Sequence, residues 1–162
     1  MKLKMRMIFV LVVLLFGCSM SEQKIDTDNA AMAEMRAPMV KNTSKVLIST
    51  KLNSLPSGSS SFLVRVSELL LASTKDTEGI HDDEIPILVD QAIRVAGMSS
   101  SNSIAAEALK EVMSVVVEYV DVKSQEWGLS LQERNRASLV FFRAALTGVL
   151  ESVREKYEKT KT

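Results

Sequence analysis

A single cysteine and a single histidine stand in a chain of 162 residues. One cysteine excludes any disulfide within the chain, and one histidine means that any serine-histidine-acid site would have to recruit His81 from an acidic loop. No Gly-x-Ser-x-Gly elbow and no glycine-rich phosphate loop occur, so the common nucleophilic and nucleotide-binding signatures are missing. No apolar run reaches the roughly 20 residues that a membrane-spanning helix needs. There is no surplus of charge of either sign, with 20 basic and 20 acidic residues, and after position 17 no clustered Lys and Arg of the kind that binds nucleic acid. No second convincing strand exists to pair with the one β-branched stretch, and no internal repeat of fixed period is visible.

What is present begins with an N-terminal segment of two halves. Met1–Arg6 carries Lys2, Lys4 and Arg6, and Met7–Phe16 (MIFVLVVLLF) is unbroken apolar sequence, followed by Gly17 and Cys18. A charged start, a short apolar stretch and a small residue form the pattern of an export signal. Such a stretch rises only about 15–18 Å as a helix, well short of the roughly 30 Å hydrocarbon core, so residues 1–17 are expected to be removed. Losing three of the 20 basic residues leaves 17 against 20 acidic ones, a mature chain about three charges negative.

The residues Leu15-Phe16-Gly17-Cys18 resemble the lipobox of bacterial lipoproteins. That resemblance covers the first 20 residues or so, and implies cleavage before Cys18, with Leu15 and Gly17 recognised at the cleavage site. It further implies that Cys18 carries diacylglycerol on sulfur and an acyl chain on its new amino group. Several chains hold firmly where one gives marginal binding. Ser19 after the cysteine resembles the sorting pattern for the outer membrane, periplasmic side, with the inner membrane as the alternative. Read without the resemblance, the same residues also permit an ordinary signal peptide cut after Ser19 or Ser21, with Cys18 as a small apolar residue.

Behind Cys18, residues 18–29 are polar and read as a flexible tether, and 30–162 as one all-α domain: a small antiparallel bundle of about four helices. Residues 30–37 favour helix and are expected to stop ahead of Pro38. Lys45–Leu52 is ambiguous, its β-branched residues suiting a strand but helix or coil fitting better. Leu55–Ser61 is a loop whose serines can cap the helix over 62–74. A helix over 84–96 tolerates Pro86 in its first turn and stops at Gly97. The stretch 104–127 confines Glu107, Glu111, Ser114, Glu118, Asp121 and Gln125 to one stripe and is apolar elsewhere, so it is expected to be central. Ser130 and Glu133 form a capping box opening a last helix to about Glu158, with Leu139, Phe142, Leu146, Val149 and Val153 inward.

Two clusters invite chemistry. Glu78-Gly-Ile-His81-Asp82-Asp83-Glu84 holds the ligand types of a metal site, yet acids at a helix N-terminus are equally what the helix dipole favours. Met32, Met35 and Met39, with Met20 upstream, have the thioether chemistry of Cu(I) sites, but their spacing is that of an apolar helical face. The bland reading is taken for both, so no metal, cofactor or enzymatic activity is expected. Phe141, beside the Phe142 seam, and the small residues Ala144 and Gly148 mark where a neighbouring helix can approach closely, either the central helix over 104–127, which is the reading favoured, or a partner's. The expectation is a membrane-anchored, non-enzymatic interaction or assembly module of the cell envelope. It would meet the membrane through its lipid, and either an envelope protein or a second copy through its helices. A small-ligand or metal carrier and a structural or surface-exclusion lipoprotein are the alternatives.

Overall fold

A computed structural model describes residues 29–56 and 58–159. The expectations for the signal segment 1–17, for Cys18 and for the tether up to Asp28 lie outside those residues. Within them the chain is all-helical, with five α-helices, one short 3₁₀ turn at Ser100–Asn102 and no strand.

The first helix, α1 (Asn29–Leu52), corrects two expectations at once. Neither a break at Pro38 nor an ambiguous segment at 45–52 is found; one helix runs through both, and it begins at Asn29, which the sequence assigned to the tether. An internal proline removes a hydrogen bond to the carbonyl of Glu34 and crowds it, at a cost of about 3 kcal/mol. What offsets it is a stripe at helical spacing, Ala33, Val40, Ser44, Ile48 and Leu52, all buried against neighbouring helices, while the Pro38 ring faces solvent. Reading the two halves separately hides that stripe, because each alone contains too few of its positions.

The next helix, α2 (Ser59–Ser73), starts earlier than its apolar face suggests. Gly58, with φ 94°, occupies the capping position, so no serine side chain caps this helix; Ser61 instead donates to the Gly58 carbonyl at 2.7 Å. Helix α3 (Glu84–Ala96) has the expected bounds and buries Ile85, Val89, Ala92 and Ile93 before ending at Gly97, φ 88°. Helix α4 (Ser103–Trp127) touches all four other helices and ends at Gly128 in the left-handed region. Its polar stripe is exposed except at Asp121, which is half-buried. Helix α5 (Leu131–Lys159) opens with the expected capping box, the Ser130 N–H donating to Glu133 at 2.8 Å and the Glu133 N–H to the Ser130 hydroxyl at 3.4 Å. All five of its predicted inward residues are buried.

Polar pairs between helices give their directions. Lys41 meets Glu151 at 3.0 Å, Ser49 meets Ser152 at 2.7 Å, and Lys156 donates to the Leu52 carbonyl, so α1 and α5 run side by side in the same sense. Helices α4 and α5 form an antiparallel hairpin, and Arg143 reaching the Thr74 carbonyl at 2.8 Å, with Arg154 reaching Glu68 at 3.8 Å, sets α2 antiparallel to α5. One pole of the molecule therefore gathers the start of α1, the α2–α3 loop, the end of α4 and the start of α5. The other holds the end of α1 and the α3–α4 turn.

At the heart of the α4–α5 contact, Tyr119 stands edge-on to Phe141 at 5.2 Å between ring centroids, with Trp127 at 6.5 Å from Phe141. The Tyr119 hydroxyl is buried without a hydrogen-bond partner, beside a cavity of about 20 Å³. Burial pushes its phenol up to about 12. Because the folded state holds this proton more tightly than an unfolded chain titrating near 10, the stabilisation is intact below pH 10 and is lost as pH climbs through 12. A shift of two units corresponds to about 2.7 kcal/mol. Urea unfolding followed by circular dichroism is expected to show a decline between pH 10 and 12 that is shallower by about 2 kcal/mol in Tyr119→Phe.

Candidate functional site

The pole at the start of α1 is built around a loop laid on a helix. Residues 74–83 run back along α5: Thr74 is held by Arg143, and the Ile80 N–H donates to the Asn135 carbonyl at 3.0 Å. Gly79 sits so close to α5 that a Cβ there would lie 2.9 Å from the Asn135 carbonyl carbon, so only glycine lets the loop down onto the helix backbone. The loop then buries Asp82, which is 6% exposed. Its carboxylate accepts from Arg134 at 2.5 Å, and the same guanidinium nitrogen reaches Asp121 at 2.9 Å. Burial alone would raise the Asp82 carboxyl, but the hydrogen bond and positive charge of Arg134 outweigh it and hold the group below its ordinary value. Arg134 in turn is raised, chiefly by its hydrogen bond to Asp82.

The sequence marks the acids around His81 as residues that suit a helix N-terminus. Asp82 goes beyond that role, because it ties the α2–α3 loop to both helices of the α4–α5 hairpin. His81 Nδ1 lies 2.5 Å from Asp83 and 3.2 Å from Asp82, so the three side chains place one donor atom each within 4.8 Å. In this arrangement the imidazole is engaged with Asp83 and one Asp82 oxygen with Arg134. Of the methionines weighed as a thioether cluster, Met35 is 65% exposed while Met39 packs against the core. Met20 lies outside the described residues.

Beside the ion pairs, an open cleft of about 720 Å³ is lined by Glu78, Gly79, Leu131, Gln132, Asn135 and Arg136. It runs over the first turns of α5, with the loop on one flank and, on the other, Arg136, which reaches Glu34 of α1 at 3.4 Å. Leu131 is 64% exposed at its edge.

The far pole has a different character. Val95, Met98 and Ile104, at and around the α3–α4 turn, are each more than half exposed. Among the described residues, helix α3 makes substantial contact only with α2 and α4.

No protein-family model matches the chain, and no curated protein or solved structure matches it. The site therefore has to be read from its own chemistry.

Among the residues singled out by sequence, Cys18, Leu15 and Gly17 lie outside the described part. Phe141 is fully buried between Tyr119 and Trp127, and Ala144 is half-buried against the core. A Cβ on Gly148 would lie 2.2 Å from the Lys41 carbonyl oxygen. The close approach at Gly148 is thus made within the chain, by α1 and not by the central helix α4, and Phe141 and Gly148 are both buried. Sequence reading missed the far-pole apolar residues and the Asp82–Arg134 tie. The first had a visible signal, since Val95, Met98 and Ile104 flank the Gly97 break and a serine-rich turn. The second had none, because the partners are 52 residues apart.

Proposed function

We propose that the protein is a lipid-anchored, non-enzymatic interaction module of the bacterial envelope: a small, largely antiparallel bundle fixed to the membrane through Cys18 that offers its far pole to an envelope protein. The observation that carries this reading is the opposition of the two poles. The described chain begins at the pole of Asn29, eleven residues after Cys18, and the exposed Val95, Met98 and Ile104 stand at the other end. Helix α4, with 25 residues, spans about 37 Å between them. A tether of that length adds at most about 36–40 Å, so the apolar end is carried outward from the bilayer while the domain remains near it. Exposed apolar side chains gathered at one place mark docking surfaces more often than scattered ones do. No helix among the described residues is long and apolar enough to cross a membrane.

The test is photo-crosslinking from position 98 in native membranes, followed by capture. A discrete envelope protein is expected, and the double variant Val95→Glu, Ile104→Glu is expected to reduce the crosslink at least tenfold while leaving the thermal unfolding midpoint unchanged. A crosslink unaffected by both charges, or none above background, contradicts the proposal.

A further inference from the structure

Asp82 divides its carboxylate between two neighbours. One oxygen, Oδ2, is taken by Arg134. The other, Oδ1, is buried and has no hydrogen-bond partner, in a side chain only 9% exposed. It faces His81 Nδ1 at 3.2 Å, while the same nitrogen stands 2.5 Å from the Asp83 carboxylate. A ring nitrogen carries at most one proton, and the closer Asp83 oxygen takes it, so Asp82 Oδ1 is left without a donor. A buried oxygen in that position is costly, and calls for a water or an ion as its partner.

A tight turn gathers donors from three consecutive residues that would otherwise point apart. The Glu84 N–H donates to the His81 carbonyl at 3.0 Å, and the His81 N–H to the Glu84 carboxylate at 2.9 Å. One donor atom each from His81, Asp82 and Asp83 then lies within 4.8 Å of the others. A metal about 2.0–2.2 Å from an imidazole nitrogen and two carboxylate oxygens holds such donors roughly 3.3 Å apart when tetrahedral. The spacing of His81 and Asp82 already has that size. Asp83 has to withdraw by about 0.8 Å to match it, and its side chain, 78% exposed, is free to rotate. Three acids, Asp82, Asp83 and Glu84, set against the single guanidinium of Arg134 and the positive end of α3, leave the place net negative.

We propose that His81 Nδ1, Asp82 Oδ1 and a carboxylate oxygen of Asp83 bind one divalent transition-metal ion of the zinc class. The nitrogen donor favours such an ion over calcium or magnesium, which take oxygen ligands. The ion replaces the proton between Nδ1 and Asp83, which leaves to solvent. Arg134, holding the other Asp82 oxygen, orients that ligand. The fourth position stays open to water or to a donor from outside. None of this depends on lipid at Cys18.

Calorimetric titration of the full chain carrying Cys18→Ser with zinc chloride, in detergent, tests the site with no thiol to compete. Saturation at one ion per chain is expected, with a Kd of roughly 10 µM or tighter. His81→Ala and Asp83→Asn, neither at a buried side chain, are each expected to weaken binding at least tenfold and to leave the metal-free unfolding midpoint unchanged. Proton magnetic resonance gives a second readout that needs no variant: the ring signals of the only histidine should move as zinc is added. The absence of binding below millimolar zinc overturns the site. So does parent affinity in either variant, or heat evolved while the His81 signals stay still, which would place an adventitious ion on other carboxylates.

Discussion

Gly148→Ala is expected to destabilise the protein by about 3 kcal/mol, at the upper end of what overpacking costs. The added Cβ would meet the Lys41 carbonyl oxygen at 2.2 Å and the Lys45 backbone nitrogen at 3.1 Å. Both are backbone atoms in the middle of α1, so no side chain can rotate out of the way. The two helices must separate, and they share the most extensive contact in the molecule. Separation would stretch the Lys41–Glu151 pair and the Ser49–Ser152 hydrogen bond, and would loosen Ile48 from the core. Because α1 already carries Pro38, it has little stability of its own to lose. Urea titration read by circular dichroism should show the lower midpoint, with early loss of protection in α1. A variant within about 0.5 kcal/mol of the parent would mean that α1 does not lie where it is described.

The second large effect is expected at Phe141→Ala, with a loss of about 3–5 kcal/mol. Phe141 is fully buried, and its ring is the one that both Tyr119 and Trp127 face. Truncation would leave a cavity between α4 and α5 and remove two aromatic contacts, each worth about 0.5–1.5 kcal/mol beyond the area buried. Phe141→Leu, which keeps most of the volume, should recover more than half of the loss. Near-ultraviolet circular dichroism gives an independent reading, since the single tryptophan packs on this ring. A loss under about 1 kcal/mol would contradict the burial.

These two residues show what the sequence made legible. The run from Ser103 to Lys159 is strongly patterned, and its helix bounds, capping box and inward face are all recovered, because local periodicity and packing agree there. Helix α3 is recovered for the same reason, between its acidic start and Gly97. Helix α1 is the failure. Its intrinsic signals, a proline in the middle and β-branched residues near the end, oppose the helix, and packing on α5 and α4 overrides them. Gly148 signals a close helix approach, but periodicity says nothing about which helix arrives, and the backbone beside it is that of α1 rather than of the central helix. Likewise the acids at 82–84 have local reasons to stand at a helix start, so nothing local separates Asp82, buried by Arg134, from Asp83 beside it, which stays exposed. The exposure of Val95, Met98 and Ile104 depends on α3 lying at an edge, which is a property of the whole arrangement.

The central proposal, a helical module fixed to a bilayer at Cys18 with its apolar pole directed away, is tested most directly by the mass of the N-terminal peptide recovered from a membrane extract. The account predicts a peptide that begins at Cys18 and carries three fatty chains, two through diacylglycerol on sulfur and one on the amino group. An unmodified peptide beginning after Cys18 would contradict it.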